Sequence, residues 1–414
     1  MYSPRDLQIY VRNSAHQIIG QVDDFTQVQL VLRYNAVSNW AMDISATSRN
    51  ASLLSPSSNP NGGLVFKLYG TTLLSGPIHT FGYAESEDGT AGLTLAGPDD
   101  TQYLANALVW PDPAHAIDSQ TTSYYSVTAS ASSTETLMKT LVNLNLGPGA
   151  IAERRKSGLT VEPSANRGQT GQSFKYRFDP LLDALAELAR GAPIGTPPGY
   201  LGFRIRQKDT AAGIEFQVYT TTDRKSTATF SRGRHNLISA SYQATAPTMT
   251  YAILGAGREA VDGSTNAAVV AKELFGYTRV DTQPVFPGYR VEGFVDVGEV
   301  DPVAADAQAQ LDEKGQDALY TGATSITITM KPQDTPQLTF GKDFFLGDQV
   351  QVLVPYVDPV QEQVREVELT FNANDGLIAE ITVGTEATTS RKTSGTTKRL
   401  NSLADMVKKL STRK

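Results

Sequence analysis

One glycine-rich segment has the spacing of a cofactor-binding turn. Residues 255–260 read Gly-Ala-Gly-Arg-Glu-Ala, which matches the G-x-G-x-x-A form of a dinucleotide-binding loop, and Asp281 follows at a distance suited to a ribose hydroxyl. That loop binds a pyrophosphate only when it opens a helix. Residues 261–266, Val-Asp-Gly-Ser-Thr-Asn, instead have turn chemistry, and no βαβ alternation surrounds them. We interpret the segment as a loop between strands and expect no cofactor.

The residues that bind metals or activate nucleophiles are few and scattered. His16, His79, His115 and His235 show no metal-ligand spacing, and the chain has 0 cysteines, so neither thiolate ligands nor disulfides are available. No G-x-S-x-G motif frames a serine, although a Ser-His-Asp triad assembled in three dimensions stays open. We predict no metal site and no catalytic residues.

Two pairs of adjacent carboxylates could suggest acid–base chemistry. Asp23-Asp24 and Asp99-Asp100 are these pairs, but neighbouring side chains on an extended chain point to opposite sides and do not face one substrate. Gly97-Pro98 before Asp99 predicts a turn or a helix cap there. Calcium is a minor alternative, since no D-x-D-x-D-G pattern is present.

The basic residues are clustered at three places. These are residues 154–156, the alternating Arg204, Arg206 and Lys208, and the segment 391–414, whose eight Lys/Arg and one Asp sum to +7. The whole chain carries −7, so residues 1–390 carry −14. This acidic body argues against a broad phosphate-binding face, and Arg204 and Arg206 fit the polar face of a strand. A terminal basic segment is typical of a solvated, mobile tail, with docking on an acidic partner as the alternative.

The elements that would position these residues are mostly strands. Residues 26–32 alternate with the period of two expected for a half-buried strand, and similar runs fill the first hundred residues and the last third. Three helices are predicted: one from a Ser132/Glu135 capping box, one capped by Asp179, and one opened by Asp301-Pro302. The stripe of the third helix is mostly alanine, which suits packing against a sheet or a neighbouring subunit. Asn374-Asp375-Gly376 predicts a hairpin.

Length and composition agree with a folded protein of several domains. The chain has 414 residues, 40% of them hydrophobic and 19% charged, which suffices for two or three domains with cores of their own. No run approaches the roughly 20 apolar residues of a membrane span, and the first residues do not form a secretory signal. We expect no membrane-spanning segment.

The order of several short motifs resembles a family of minor tail proteins of siphophages that infect actinobacteria. The motifs that carry this resemblance are Val22-Asp23-Asp24-Phe25, Arg33-Tyr34-Asn35, Trp40-Ala41-Met42, Leu74-Ser75-Gly76-Pro77, Leu95-Ala96-Gly97-Pro98-Asp99-Asp100, Tyr103-Leu104-Ala105, Pro111-Asp112-Pro113, Leu144-Asn145-Leu146-Gly147, Arg154-Arg155, Asn236-Leu237, Leu346-Gly347-Asp348 and Val364-Arg365-Glu366-Val367-Glu368-Leu369. Each is short, and the co-linear set extends to about Gly384.

The resemblance implies a fold that is mainly β with an α+β insertion, and two β-barrel domains of the phage tail-hub type. Residues 1–115 would form the first barrel, to which strands in 236–256 could return. Residues 116–235 would form the inserted α+β domain, and 257–384 the second barrel with one helix. Residues 385–414 would form a basic flexible tail.

The resemblance also implies a structural role in the virion. The expected protein is a homotrimeric hub at the tail tip, assembled in the host cytoplasm, which closes the tail tube. Its expected partners are copies of itself, the distal tail protein, the tape-measure protein and fibre or receptor-binding tip proteins, with DNA only in transit through the lumen. Two alternatives are a tail-associated enzyme that degrades cell wall and a carbohydrate-binding module that recognises the host. We predict that the chain is not an enzyme.

Overall fold

The computed structural model describes residues 6–128, 130–190, 200–256, 259–261, 268–270, 274–279, 286, 288–297, 300, 307–333, 335, 338–372 and 376–384. The strands are β1 (Leu7–Arg12), β2 (Ile18–Val22), β3 (Phe25–Arg33), β4 (Asn39–Ser45), β5 (Gly63–Leu68), β6 (Thr71–Pro77), β7 (Thr80–Glu85), β8 (Ala91–Pro98), β9 (Tyr125–Val127), β10 (Leu159–Val161), β11 (Phe174–Tyr176), β12 (Leu201–Gln207), β13 (Ile214–Thr220), β14 (Thr229–Phe230), β15 (Leu237–Thr245), β16 (Tyr251–Ala256), β17 (Glu259–Val261), β18 (Ala268–Val270), β19 (Leu274–Arg279), β20 (Glu292–Asp296), β21 (Ser325–Pro332), β22 (Gln349–Val352), β23 (Val360–Asn372) and β24 (Gly376–Gly384). The helices are α1 (Ala51–Leu54), α2 (Gln102–Ala105), α3 (Thr134–Asn145), α4 (Leu181–Arg190) and α5 (Ala307–Thr321). The prediction of a mainly β fold is therefore confirmed, and the predicted α+β insertion and two barrels stay predictions.

The described chain divides into two compact units. Unit 1 contains the described residues up to Ser241 and those from Thr329 to Val383, and unit 2 contains those from Tyr242 to Ile328 together with Gly384. The predicted barrel boundaries at residues 115, 235 and 256 stay predictions. The predicted basic tail, 385–414, lies outside the described residues.

The main sheet of unit 1 joins the two ends of the described chain. Its strands lie in the order β24-β23-β3-β4-β8-β7, and β23 runs antiparallel to β3, so that the Gln29 amide donates to Glu368, 339 positions away. β3 was predicted to be half-buried, but Gln29 and Val31 are buried as well as Leu30. The prediction was wrong because β3 is a central strand with its two faces covered.

Two Gly-Pro motifs let strands from two sheets approach each other over Trp40. Gly76 lies at the end of β6, in the sheet β2-β1-β5-β6, and Gly97 lies at the end of β8. A Cβ on Gly76 would lie 2.0 Å from the Pro98 carbonyl oxygen, and one on Gly97 would lie 2.1 Å from that of Pro77. The Trp40 indole Nε1 donates to the Pro98 oxygen at 3.2 Å. The backbones therefore meet at a distance that only glycine permits.

The helices α3 and α4 pack on the three-stranded sheet β10-β13-β12 and form a second core in unit 1. The α3 helix is confirmed, but its cap is one residue later than predicted: the Ser133 hydroxyl accepts from the Thr136 amide at 3.3 Å. Glu135, predicted to complete a capping box, is buried and bound by Lys139 at 2.6 Å and Arg167 at 2.9 Å. Burial alone would raise the pKa of Glu135, but these hydrogen bonds hold it well below its usual range.

Unit 2 contains a three-stranded sheet in the order β19-β16-β20, with the helix α5 over one face. The predicted opening of this helix, Asp301-Pro302, lies outside the described residues. Its Gly315 permits close contact with the sheet, since a Cβ there would lie 2.4 Å from Thr278 Oγ1 and 3.0 Å from Leu254 Cδ1. The alanine stripe of this helix was predicted to pack against a sheet or a neighbouring subunit, and the structure shows it packed against the sheet.

Two remaining sequence predictions concern a hairpin and membrane spans. Strands β23 and β24 pair antiparallel with Asn372 opposite Gly376, as the predicted hairpin requires, although residues 373–375 lie outside the described part. Within the described residues, none of the helices has both the length and the apolar character needed to span a bilayer.

Candidate interaction surface

The four histidines lie apart from one another. His16 is buried in unit 1, where burial, Arg12 and Lys156 lower its pKa to about 4. His115 Nδ1 lies 2.8 Å from Asp112, and His235 is exposed. Among the described residues, no group of three or more His, Asp or Glu side chains has the arrangement of a metal site.

The first glycine of the cofactor-like motif lies inside a strand. Gly255 belongs to β16 and pairs with Phe275 on one side and Asp296 on the other. Our interpretation of a loop starting there was wrong, because the strand continues to Ala256; Gly257 and Arg258 lie outside the described residues. A Cβ on Gly255 would lie 2.9 Å from the ring of Phe294 and 3.3 Å from that of Phe275. This glycine makes room for two aromatic rings.

The paired carboxylates have separate partners. Asp99 accepts from the Ser38 amide at 3.1 Å and from Thr101 Oγ1 at 2.9 Å. Asp100 accepts from Arg12 at 2.5 and 2.8 Å and from Ser75 Oγ at 2.6 Å. Asp23 forms an exposed ion pair with Arg49 at 3.2 Å. Asp100 therefore joins β1 to β6, whereas Asp99 binds the segment just before β4 and its own turn.

The basic cluster at residues 154–156 is used in local contacts. The Arg154 guanidinium stacks over Trp110 at 4.0 Å and donates to Asn145 at 2.9 Å. Burial lowers the pKa of Arg154 to about 10. Lys156 lies over Tyr103 at 4.1 Å. These cations are therefore structural contacts of unit 1, as cation–π pairs commonly are.

The sequence has two pairs of adjacent aromatic residues, Tyr124-Tyr125 and Phe344-Phe345, and of these four only Phe344 is fully buried. Phe344 is buried against Phe230 at 5.3 Å, but Phe345 is exposed. Tyr125 is half-buried and stacks on Phe174 at 6.4 Å, and Tyr124 lies 4.3 Å from the ammonium of Lys175.

Among the described residues, several exposed rings lie together on one face of the unit 2 sheet. Phe275, Tyr277 and Phe294 are 62%, 61% and 64% exposed, and they project from β19 and β20 on the two sides of β16. The cross-strand pairing places Tyr251 and Ile253 between them, because alternate residues share one face. We call these five residues, Tyr251, Ile253, Phe275, Tyr277 and Phe294, the aromatic face.

The rings of the aromatic face are ordered against one another. Tyr251 and Tyr277 stack with centroids 5.4 Å apart and planes inclined by 5°. Arg290 lies 4.8 Å above the Tyr251 ring and pairs with Glu292. Stacked aromatic rings with a few charges at the border are typical of a protein interface.

The opposite face of the same sheet is closed. Ala252, Leu254 and Ala256 of β16 are buried and share a core with Ala307 and Leu311 of the helix. The sheet thus has one side completed by its own chain and one side that exposes large apolar rings to solvent.

The aromatic face was not predicted, because no strand was predicted between residues 259 and 296. The alternation Phe275-Gly276-Tyr277-Thr278-Arg279 carries the signal of a two-faced strand. Parallel pairing of β20 with β16, with β19 on the other side, has no local signature.

Comparisons with known proteins identify relatives of this chain. The family model described as Siphovirus ReqiPepy6 Gp37-like protein matches residues 8–385. No curated protein sequence matches the chain.

Two solved structures share its fold. The 43 kDa tail protein of prophage MuSo2 from Shewanella oneidensis aligns with a TM-score of 0.54 at 10% identity, over 91% of this chain and 98% of that one. A tail protein from Neisseria meningitidis MC58 aligns with a TM-score of 0.52 at 13% identity, over 92% and 97%. At such identities the likeness establishes the fold alone.

Proposed function

From the premise that the chain belongs to the Siphovirus ReqiPepy6 Gp37-like protein family, we propose that it forms the hub of a siphovirus tail tip. It is a structural protein of the phage tail. In the proposed hub, three copies form a ring, and two β-barrel domains in each copy match the ring to a six-fold tail tube.

The observation that carries the proposal is the aromatic face. Phe275, Tyr277 and Phe294 expose large apolar rings beside one another on one face of the sheet. Exposed apolar patches of this kind are costly in water and typical of surfaces that bind other proteins. A second copy of this chain is the partner we propose for this face.

The other partners are proposed from the same role. The hub would bind the distal tail protein above, the tape-measure protein inside and fibre or receptor-binding proteins at the tip. DNA would pass through the lumen during ejection, and the acidic body of the chain, −14 over residues 1–390, would keep DNA from adhering. Assembly would take place in the host cytoplasm.

Native mass spectrometry of the purified chain tests the proposal. We expect a trimer at about 10 µM, since burying several aromatic rings per subunit suffices for micromolar association. Replacing Tyr277 and Phe294 by serine should convert it to a monomer. Tyr356→Asn is the matched control, because Tyr356 is fully exposed on unit 1 and should not affect the trimer.

The outcome that contradicts the proposal is a wild-type chain that stays monomeric at this concentration. If the Tyr277→Ser/Phe294→Ser variant is still a trimer, the proposal of a trimeric hub stands, but the proposal that the aromatic face forms its interface is wrong.

A second candidate function also uses the aromatic face. Flat exposed rings stack on sugar rings, so Tyr277 and Phe294 could bind a host surface carbohydrate. Two results together would favour this function over the hub. The wild-type chain would not self-associate, and it would bind purified cell-wall polysaccharide that the Tyr277→Ser/Phe294→Ser variant does not bind.

We also propose that the chain has no enzymatic activity. The support is the fold that it shares with two solved tail proteins. Incubation in a gel containing bacterial cell wall should give no clearing, and reproducible clearing would contradict the proposal.

A further inference from the structure

Unit 1 contains a cavity of about 340 Å³ between β3, β6, β12 and β13 and the segment around residues 340–348. Its walls include apolar side chains, among them Leu32, Leu74, Phe340 and Leu346. They also include four arginines: Arg33, Arg204, Arg206 and Arg224. Its volume is that of a small-ligand site, and its combination of apolar walls with a few charged groups is typical of one.

Three of the four guanidinium groups are neutralised within unit 1. The pairs are Arg33 with Glu366 at 2.8 Å, Arg206 with Asp209 at 3.6 Å, and Arg224 with Asp348 at 2.7 Å. Asp99, the other carboxylate in the wall, accepts from Ser38 and Thr101. The acids of the wall are therefore already bound to other groups.

Arg204 is different from the other three. Among the described residues it has no carboxylate partner, and its Nε is buried without an acceptor. Its guanidinium lies 5.0 Å from the centroid of the Tyr219 ring. That ring packs directly on Gly202, since a Cβ on Gly202 would lie 2.3 Å from it. The ring and the glycine fix the position of a charged group that lacks a counter-ion.

The charge of Arg204 affects its neighbour. Burial, and then repulsion from Arg204, lower the pKa of Arg206 to about 10. A half-buried cation with an unsatisfied donor is costly, and binding an anion removes the cost.

We infer that this cavity is a binding site for a carboxylate carried on an apolar stem, with Arg204 as the group that binds it. A guanidinium presents a planar fork that matches a carboxylate or a phosphate. Among the described residues of the wall, the other three arginines are already paired with acids, so the single charge of a carboxylate is balanced, whereas the second charge of a phosphate dianion is not. The apolar walls accommodate a stem of a few carbons. This inference is independent of the trimeric hub, because the cavity lies wholly in unit 1.

Calorimetric titration of the full chain with hexanoate tests the inference. We expect saturable binding with a Kd of about 1 mM, which is reasonable for a ligand of this size. Hexanamide, which has the same shape and no charge, and inorganic phosphate should each bind at least about tenfold more weakly. Equal binding of hexanamide, preferred binding of phosphate, or no saturation by hexanoate at about 20 mM would overturn the inference.

Variants assign the binding to Arg204. Arg204→Gln should weaken hexanoate binding at least about tenfold, and Arg204→Lys, which keeps the charge but loses the fork, should weaken it less. Arg232→Gln is the matched control, since Arg232 is exposed in the same unit and lines no wall of the cavity. Unchanged hexanoate binding in both Arg204 variants would overturn the inference. If Arg204→Gln does not fold, unchanged binding in Arg204→Lys alone would overturn it.

Two peptides distinguish the sources of the carboxylate. A capped Leu-Glu-Leu peptide and its Leu-Gln-Leu counterpart differ only in the charge. Tighter binding of the glutamate peptide than of hexanoate assigns the site to an acidic side chain of a polypeptide. Binding of hexanoate alone assigns it to a small carboxylic acid.

Discussion

The buried polar cluster of unit 1 and the aromatic face of unit 2 differ in which groups they remove from water. The cluster consists of Arg12, His16, Ser75, Asp100 and Gln207, and its charged pair is removed from water and bound within the chain. The aromatic face leaves apolar rings in water. The first arrangement stabilises one chain, whereas the second is stabilised by binding something else. The difference indicates that this cluster stabilises unit 1 without any partner, whereas the aromatic face of unit 2 is the surface that we propose for assembly.

The largest expected effect is the loss of the buried ion pair. Asp100→Asn leaves the Arg12 cation buried with one neutral acceptor in place of a carboxylate that accepts at 2.5 and 2.8 Å. Breaking a buried pair on one side costs about 3–5 kcal/mol in the free energy of unfolding. Urea unfolding followed by the fluorescence of Trp40 and Trp110, the two tryptophans of the chain, both in this unit, measures the loss.

The matched control for the ion pair is Asp23→Asn. Asp23 and Arg49 form the same kind of pair at 3.2 Å but on the surface, so this change should cost less than about 0.5 kcal/mol. Both variants are measured at one protein concentration, because self-association adds to apparent stability. Similar losses in the two variants would remove the distinction between a buried cluster and an ordinary surface pair.

A smaller effect is expected from His16, and it depends on pH. Its pKa falls from 6.5 to about 4 on folding, because it is buried and lies near Arg12. Between these values the unfolded chain binds a proton that the folded chain does not, so stability is lost as pH falls from about 6.5 toward 4. Between pH 7 and pH 5 the loss is about 1–2 kcal/mol. Unfolding at these two pH values, with and without His16→Asn, measures it.

The control for His16 is the same change at His235. Both residues have a positive φ, 59° and 54°, which asparagine tolerates, but His235 is exposed. His16→Asn should flatten the dependence of stability on pH, and His235→Asn should leave it unchanged. If wild type and His16→Asn lose the same stability between pH 7 and pH 5, His16 does not fold in its neutral form.

The sequence predicted local structure well where the signals were local. β3, Phe25–Arg33, contains the alternating residues 26–32 that predict it, and α3 follows from the spacing of Leu137, Met138 and Leu141. The Ser132 cap was wrong by one residue because Ser132 and Ser133 are chemically equal, and only the backbone geometry decides between them.

Long-range pairing decided what the sequence could not predict. The contact of Gln29 with Glu368 joins strands that are far apart in the chain and makes β3 a central strand between β23 and β4. The aromatic face and the cavity at Arg204 likewise depend on which strands become neighbours. Alternation shows that a strand has two faces but not what covers each of them.

The smallest expected effect is the one that tests the comparison most directly. Phe294→Ser removes an exposed ring, so it should change the local stability of unit 2 by less than about 0.5 kcal/mol in the dilute monomer. Leu254→Ala, on the buried face of the same sheet, should cost about 2–5 kcal/mol. Amide hydrogen exchange of peptides covering β16 measures both. A large loss for Phe294→Ser would mean that the aromatic face holds unit 2 together and is not reserved for a partner.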